Sequence, residues 1–379
     1  MRDSEVSRQP RRPPQGRLAD KPRVEPGPRS ALVLFADLLP VCGPGSQAVG
    51  AGPDQGEKVF LRELGSRLRE RVPTVLYSSS AEMSDLVEQV PSNRLVSRRL
   101  ASQLWRHHPR AIVYLYPVTL AGLMRTRLLK LFGHGAPVAV IALASHPLGK
   151  LGRRLGRLFR PDLLLVASEG QKSELGSLGA SIEMLPIGVD LHRFRPAEPG
   201  EKMRLRRSLG LPVDSTIVLH VGHLVTARNL NILTALAARD SLTPVMVASH
   251  VRDSESAQLL EELRRGGVVV LDGYQPRVEE VYRAADCYIF PSRGWGGGIE
   301  VPLSVLEAMA SDLPVASTWF GGLPERFSGA EGVRFAASDE ELVEAVVELV
   351  RLAPHTRHLV EQDSWDAVAD RLLSLLGYP

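Results

Sequence analysis

The residues best placed to do chemistry lie in Ala285–Phe327, AADCYIFPSRGWGGGIEVPLSVLEAMASDLPVASTWFGGLPERF. Cys287–Phe290 reads as a buried strand. The loop Pro291–Gly298 after it ends in three glycines, which let backbone approach a ligand closely. Pro302 suits the first position of a helix, where its missing N–H costs nothing, and Leu303–Ala310 continues that helix. A helix start preceded by glycines offers free amides and the positive end of a dipole, a ready site for a diphosphate. Glu307 falls in the second turn, and helical side chains lean back toward the N-terminus. Its carboxylate can therefore reach past the anion and accept hydrogen bonds from vicinal hydroxyls such as those of a ribose. Glu300 stands in the loop, nearer to where a transferred group would lie.

Such a site must be carried by strand–helix units, and the chain supplies them. Short apolar runs alternate with helical patterns, as parallel sheets with crossover helices require. Strands are predicted at Ala31–Phe35, Ala111–Tyr116, Pro137–Ala144 and Asp162–Ala167, then at Thr216–Val221, Pro244–Ala248, Val268–Leu271, Cys287–Phe290 and Leu313–Ser317. Helical patterns include Glu57–Arg71, Leu120–Phe132 and an amphipathic end at Ser364–Leu376. The Pro- and Gly-rich stretch FRPAEPGE, Phe194–Glu201, breaks the chain in two. The expectation is an α/β protein with two doubly wound domains: a tail over 1–29, a first domain over 30–194 joined by a returning helix at 364–379, and a second over 195–363. Ligands in open α/β sheets sit at the carboxyl ends of the strands, so two facing sheets create a cleft.

Composition narrows the function classes. The 379 residues are 44% hydrophobic and 23% charged, with two cysteines, Cys42 and Cys287, too few for a disulfide framework or metal cluster. No apolar run is long enough for a membrane-spanning helix, and no leader is legible, which points to the cytoplasm. Residues 1–29 carry eight basic and four acidic residues and many prolines, and read as a disordered tail. That tail accounts for the whole net charge of +3, so the folded part is near neutral and does not read as a nucleic-acid binder. Gly43, Gly45 and Ala48 spell a dinucleotide fingerprint, but Ala36–Cys42 separates them from the strand that should precede them, so they read as a loop.

The segment 285–327 resembles the donor-binding core of glycosyltransferase family 4. The PS after the strand, the string PLSVLEAMA and GGLPE at Gly321–Glu325 carry that resemblance. Ile187–Pro196 (IGVDLHRFRP) resembles the family's hinge, Asp162–Glu169 its preceding strand, Val221–Leu230 (VGHLVTARNL) its phosphate-binding loop and SWDAVADRLL its closing helix. The resemblance implies the GT-B fold and retaining transfer from a nucleotide-diphosphate sugar, UDP- or GDP-linked. It implies that Gly222, His223, Arg228, Leu303 and Ser304 hold the diphosphate and Glu307 the ribose, and that Tyr274 meets the base. Gly298, Glu300, Gly321 and Gly322 would frame the sugar, with His146, Arg228 and Glu300 at the chemistry. Two positions depart from the family: His223 stands where an Arg is usual, and the first of the paired acids would fall on Ile299, one place before Glu300.

The chemistry implied is leaving-group stabilisation. Breaking a sugar–phosphate bond builds negative charge on the departing diphosphate, which Arg228, His223 and helix amides can meet without a metal or any cofactor beyond the nucleotide-sugar co-substrate. The acceptor reads as a small molecule such as a natural-product core. Two basic amphipathic stretches, Arg125–Leu131 and Lys150–Arg160, leave a lipid-linked acceptor and peripheral membrane contact open. A non-catalytic sugar-nucleotide binder is the rival class. The oligomeric state is not legible.

Overall fold

The computed structural model describes residues 32–36, 56–78, 88–89, 96–115, 118–144, 148–248, 254–294 and 298–379. Seven parallel strands form the N-terminal sheet: β1 (Leu32–Ala36), β2 (Thr74–Ser78), β3 (Glu88–Gln89), β4 (Ala111–Leu115), β5 (Val138–Ala142), β6 (Leu163–Val166) and β7 (Ser181–Met184). Six more form the C-terminal sheet: β8 (Thr216–Gly222), β9 (Leu242–Ala248), β10 (Val269–Asp272), β11 (Cys287–Phe290), β12 (Val315–Thr318) and β13 (Val333–Ala336). Strand orders are β3-β2-β1-β4-β5-β6-β7 and β10-β9-β8-β11-β12-β13, so each sheet reverses direction beside its first strand. Strands β4, β5 and β11 are buried along their whole length, as helices on both faces of a parallel sheet demand.

All nine predicted strands are present within two or three residues of their expected ends. Sequence patterning missed β2, β3, β7 and β13. Strands β3, β7 and β13 lie at sheet edges, and β7 reads SIEM with no buried residue, so its apolar signal is weak. One local expectation is corrected. Pro302 is the N-cap of its helix, with φ −63° and ψ 128°, and Leu303 is the first helical residue. Val301, Pro302 and Leu303 are all buried.

The chain passes between the sheets twice, side by side. Val189 donates its amide to the Asp363 carbonyl (2.8 Å) and bridges Ser364. Gly188 is required there, because a Cβ would lie 2.5 Å from the Trp365 ring. Trp365 opens the last helix, Trp365–Leu375, and meets Phe60 edge-on at 5.2 Å. Phe60 belongs to helix Gly56–Arg71 beside the N-terminal sheet, and Arg71 of that helix pairs with Asp366 (2.8 Å) and Asp370 (2.5 Å). The last helix therefore packs on the first domain after the second has been built.

Candidate functional site

The switch point of the C-terminal sheet lies between β8 and β11, and the residues that could hold an anion gather at the carboxyl ends of those strands. Gly222 ends β8. A Cβ built on it would stand 2.8 Å from Arg228 Nη1 and 3.0 Å from His220 Nε2, so the missing side chain is the space into which Arg228 reaches. Thr226–Arg228 is a single tight turn closed by Asn229 at φ 55°, which brings Arg228 back over the strand end. Burial pushes the Arg228 guanidinium below its ordinary pKa, and no carboxylate pairs with it among the described residues. A desolvated cation without an anion partner is costly unless a ligand supplies one.

Tyr288 joins this cation to the glycine-loop helix. Its hydroxyl reaches the Val221 carbonyl (3.4 Å) and hydrogen-bonds the Ser304 side chain, with Arg228 and Glu307 both close enough to act on its charge. The phosphate-loop residues and the start of helix Leu303–Ala310 thus face one pocket. Ser304 is half-buried and Leu303 buried. The first amides of any helix lack partners inside it, so those of Leu303 and Ser304 are free to meet an anion.

Glu307 is partly exposed and accepts a hydrogen bond from the Tyr282 hydroxyl (2.9 Å), which also contacts the Ser304 carbonyl. Burial pushes the Glu307 carboxyl up to about 7, against the opposing pull of Tyr282 and Arg193. Arg193, from the hinge string, pairs with Glu279 (2.9 Å) and lies within electrostatic reach of Glu307 and Tyr274. Tyr274 is 53% exposed and follows Gly273, whose φ of 90° turns the chain out of β10. Tyr274, Arg193, Glu279, Tyr282 and Glu307 are therefore linked through one ion pair, one hydrogen bond and the reach of the Arg193 charge.

The sugar side is arranged differently from a solvent-facing pocket. Glu300 is only 4% exposed, and its carboxylate accepts a hydrogen bond from Ser168 Oγ of the N-terminal domain at 2.7 Å. Its amide donates to the Leu143 carbonyl (2.6 Å), just beyond β5, and its carbonyl accepts from the Gly322 amide (3.0 Å). Gly321, at φ 50°, has no room for a side chain, since a Cβ would meet the Glu300 carbonyl oxygen at 2.3 Å. Gly298 is half-buried at the start of this segment. The chain therefore brings Gly298, Glu300, Gly321 and Gly322 together, but with Glu300 turned toward the other domain. His223 is half-buried next to Gly222. His146 lies outside the described residues, as do the fingerprint-like Gly43–Ala48 and the tail 1–29.

Several residues of this region were not singled out by sequence patterning. His220 is completely buried on β8, and its Nδ1 meets the Ile289 carbonyl at 2.9 Å. A carbonyl only accepts, so Nδ1 carries the proton and Nε2 is a bare acceptor, without a partner among the described residues. Burial and the nearby Arg228 lower this histidine to about 4. Arg193 and Tyr282 were hidden because their partners are 86 and 25 residues away. Gly56, opening its helix, faces Ile299 and Leu303 across the cleft, with a would-be Cβ 3.6 Å from Ile299 Cδ1. Burial pushes the next residue, Glu57, above the usual carboxylate range. The string GEKVFLREL carried only an amphipathic signal.

Comparison with known proteins fits this geometry. The fold is shared with Anabaena HepE solved with UDP (TM-score 0.71, 16% identity, covering 91% of this chain and 99% of that one). It is shared too with a Rickettsia africae glycosyltransferase (TM-score 0.74, 13% identity, 92% and 98% covered). The architecture is GT-B. Among curated sequences, the chain is 30% identical over 224 residues to the GDP-mannose-dependent monoacylated alpha-(1-6)-phosphatidylinositol monomannoside mannosyltransferase of Corynebacterium glutamicum, covering 54% of this chain and 58% of that protein. It is 27% identical over 333 residues to the sulfoquinovosyl transferase SQD2 of Arabidopsis thaliana, covering 80% and 63%. The chain thus spans less than two thirds of these relatives' lengths. Residues 215–352, which carry Gly222, Arg228, Tyr274, Glu300 and Glu307, match the family model described as glycosyl transferases group 1.

Proposed function

We propose that the chain is a retaining glycosyltransferase of family 4 type that takes a sugar from a UDP- or GDP-linked donor and passes it to an acceptor hydroxyl without a metal ion. The observation that carries this reading is Tyr288, whose hydroxyl stands between the phosphate-loop strand end and Ser304, with Arg228 and Glu307 on either side. A UDP- or GDP-linked donor is supported by two similar proteins, one solved with UDP and one GDP-mannose-dependent.

In this reading the anomeric carbon–phosphate oxygen bond breaks as the acceptor oxygen bonds to the same face of that carbon. The acceptor proton passes to the departing phosphate oxygen. Arg228 and the amides at Leu303 and Ser304 take up the charge that develops on the diphosphate. Glu307 accepts hydrogen bonds from the ribose hydroxyls, with Tyr282 fixing its orientation. Tyr274 lies under the base, and Glu300 borders the sugar. Arg228→Ala lowers turnover about 10²–10³-fold, the usual cost of one preorganised charge donor. Steady-state release of UDP or GDP in the presence of acceptor measures it, and a near-parental rate removes Arg228 from the mechanism. Donor binding by calorimetry without transfer to any acceptor would leave a sugar-nucleotide-binding protein instead.

The acceptor is proposed to be a small molecule. A lipid-linked acceptor is favoured by one surface of the N-terminal domain, where Leu131, Leu151 and Leu158 are each about two-thirds exposed beside Lys150, Arg153 and Arg154. The other basic stretch contributes less charge than its sequence suggests. Arg125 is buried against the Tyr114 hydroxyl (2.7 Å), and Lys130 pairs with Asp162. No helix among the described residues is long and apolar enough to cross a membrane. Flotation with vesicles containing anionic lipid separates the two acceptors: recovery of the chain with the vesicles supports the lipid-linked one, and its absence from them the soluble one.

A further inference from the structure

We propose that Ser168 is a positioning residue for the transfer: its hydroxyl holds the Glu300 carboxylate from the opposite domain, so that the sugar side of the pocket is complete only while the two domains stay together. This rests on the reading of Glu300 as bordering the sugar.

Ser168 follows β6 and caps helix Glu169–Leu175, its Oγ accepting from the Gln171 amide at 3.1 Å. A hydroxyl has a single proton. With its acceptor side used by the cap, that proton goes to Glu300 Oε1 at 2.7 Å, and the direction of the bond is set by the helix start. Both residues are almost wholly buried, at 2% and 4% exposure. A buried carboxylate needs its hydrogen bonds, and those to a charged acceptor are about twice as strong as neutral ones.

The contact is built rather than incidental. Gly322 stands between the two, and a Cβ on it would lie 2.9 Å from Ser168 Cβ and 3.6 Å from Glu300 Cγ. A second carboxylate from the same segment repeats the crossing: Glu325 accepts from the amides of Glu169 and Gly170, the latter at 3.0 Å. The Glu300 amide adds a third link, to the Leu143 carbonyl. The segment 300–325 is thus tied to the carboxyl ends of β5 and β6, on the sugar side. By contrast, Arg228, Tyr282, Tyr288 and Glu307 all belong to the C-terminal domain. The hydrogen bonds of the nucleotide half thus run mainly within one domain and those of the sugar half across two.

The test uses the full chain, with UDP and GDP as binding probes and UDP- and GDP-sugars as donors. Ser168→Ala withdraws the donor but also the helix cap. Ser168→Asp keeps a cap acceptor, withdraws the donor and sets a second carboxylate against Glu300. Expected are a fall in kcat of about 10- to 100-fold in both variants, nucleoside diphosphate affinity within twofold of the parent, and no further loss when Ser168→Ala is added to Glu300→Ala. Parental kcat in both variants, affinity that falls in step with kcat, or additive losses overturn the proposal. If the parent transfers no sugar, the transfer reading fails instead. The radius of gyration in solution then decides the domain link: an increase in Ser168→Asp combined with Glu325→Gln supports it, and an unchanged value overturns it.

Discussion

Arg228 reaches the end of β8 because residue 222 has no side chain. The 2.8 Å gap between a would-be Gly222 Cβ and Arg228 Nη1 is below any ordinary contact, yet the clashing atom is the tip of a flexible side chain. Gly222→Ala should therefore displace the guanidinium, at a modest cost in stability from its 3.0 Å approach to the buried His220 ring. The expected result is a nucleoside diphosphate affinity about tenfold weaker, equivalent to roughly 1.4 kcal/mol, measured by calorimetry on protein shown by its unfolding midpoint to remain folded. The Gly and the Arg were legible as parts of a phosphate loop through the motif VGHLVTARNL. His220, two residues before the glycine, was not. It sits on a strand whose pattern reads apolar, and only its neighbour Ile289, on an adjacent strand, shows that it is a neutral hydrogen-bond donor.

At the scale of elements, the strand Cys287–Phe290 matches its sequence-based bounds and the helix Leu303–Ala310 starts one residue after its expected first position, because both are short, apolar and flanked by Pro. The last helix was legible as amphipathic, but an amphipathic pattern does not say which surface it covers. Trp365 decides that, packing edge-on against Phe60 with Gly188 under its ring. Trp365→Ala should destabilise the chain by about 3–5 kcal/mol, the range for truncating a buried aromatic, read by urea unfolding. Because the crossing segments 187–194 and 360–365 meet there, the loss should appear in both domains together. A loss confined to one transition would show that the last helix is not a shared element.

For the molecule as a whole, the half-buried Glu307 and the buried His220 pull its pH dependence in opposite directions. Glu307 is raised to about 7, so the stability it contributes is full below its unfolded value of 4.5 and is lost as pH rises through about 7. His220 is lowered to about 4, so its contribution is present above its unfolded value of 6.5 and is lost as pH falls through about 4. Over the range 4.5–6.5 the two oppose each other. Glu307→Gln should make stability rise with pH across that range, and His220→Gln should make it fall. Unfolding midpoints from pH 4 to 8 read both slopes, and parallel slopes in the two variants would remove one of the groups from this account.

What the sequence determined by itself is local. Near-continuous apolar runs specify parallel strands covered on both faces, glycines before an apolar helix specify a close backbone approach, and a Glu in the second turn is placed by helical geometry alone. What only the tertiary structure decided is which groups share a space. Glu300 follows the glycine run, so sequence put it beside a ligand. Its buried position instead lets Ser168, 132 residues earlier, supply its hydrogen bond. Arg193 reaches Glu279, 86 residues later, and comes within electrostatic reach of Glu307 only because the fold brings the hinge beside them. Charge and hydrogen-bond partners act through distance in space, and a sequence records separation only along the chain.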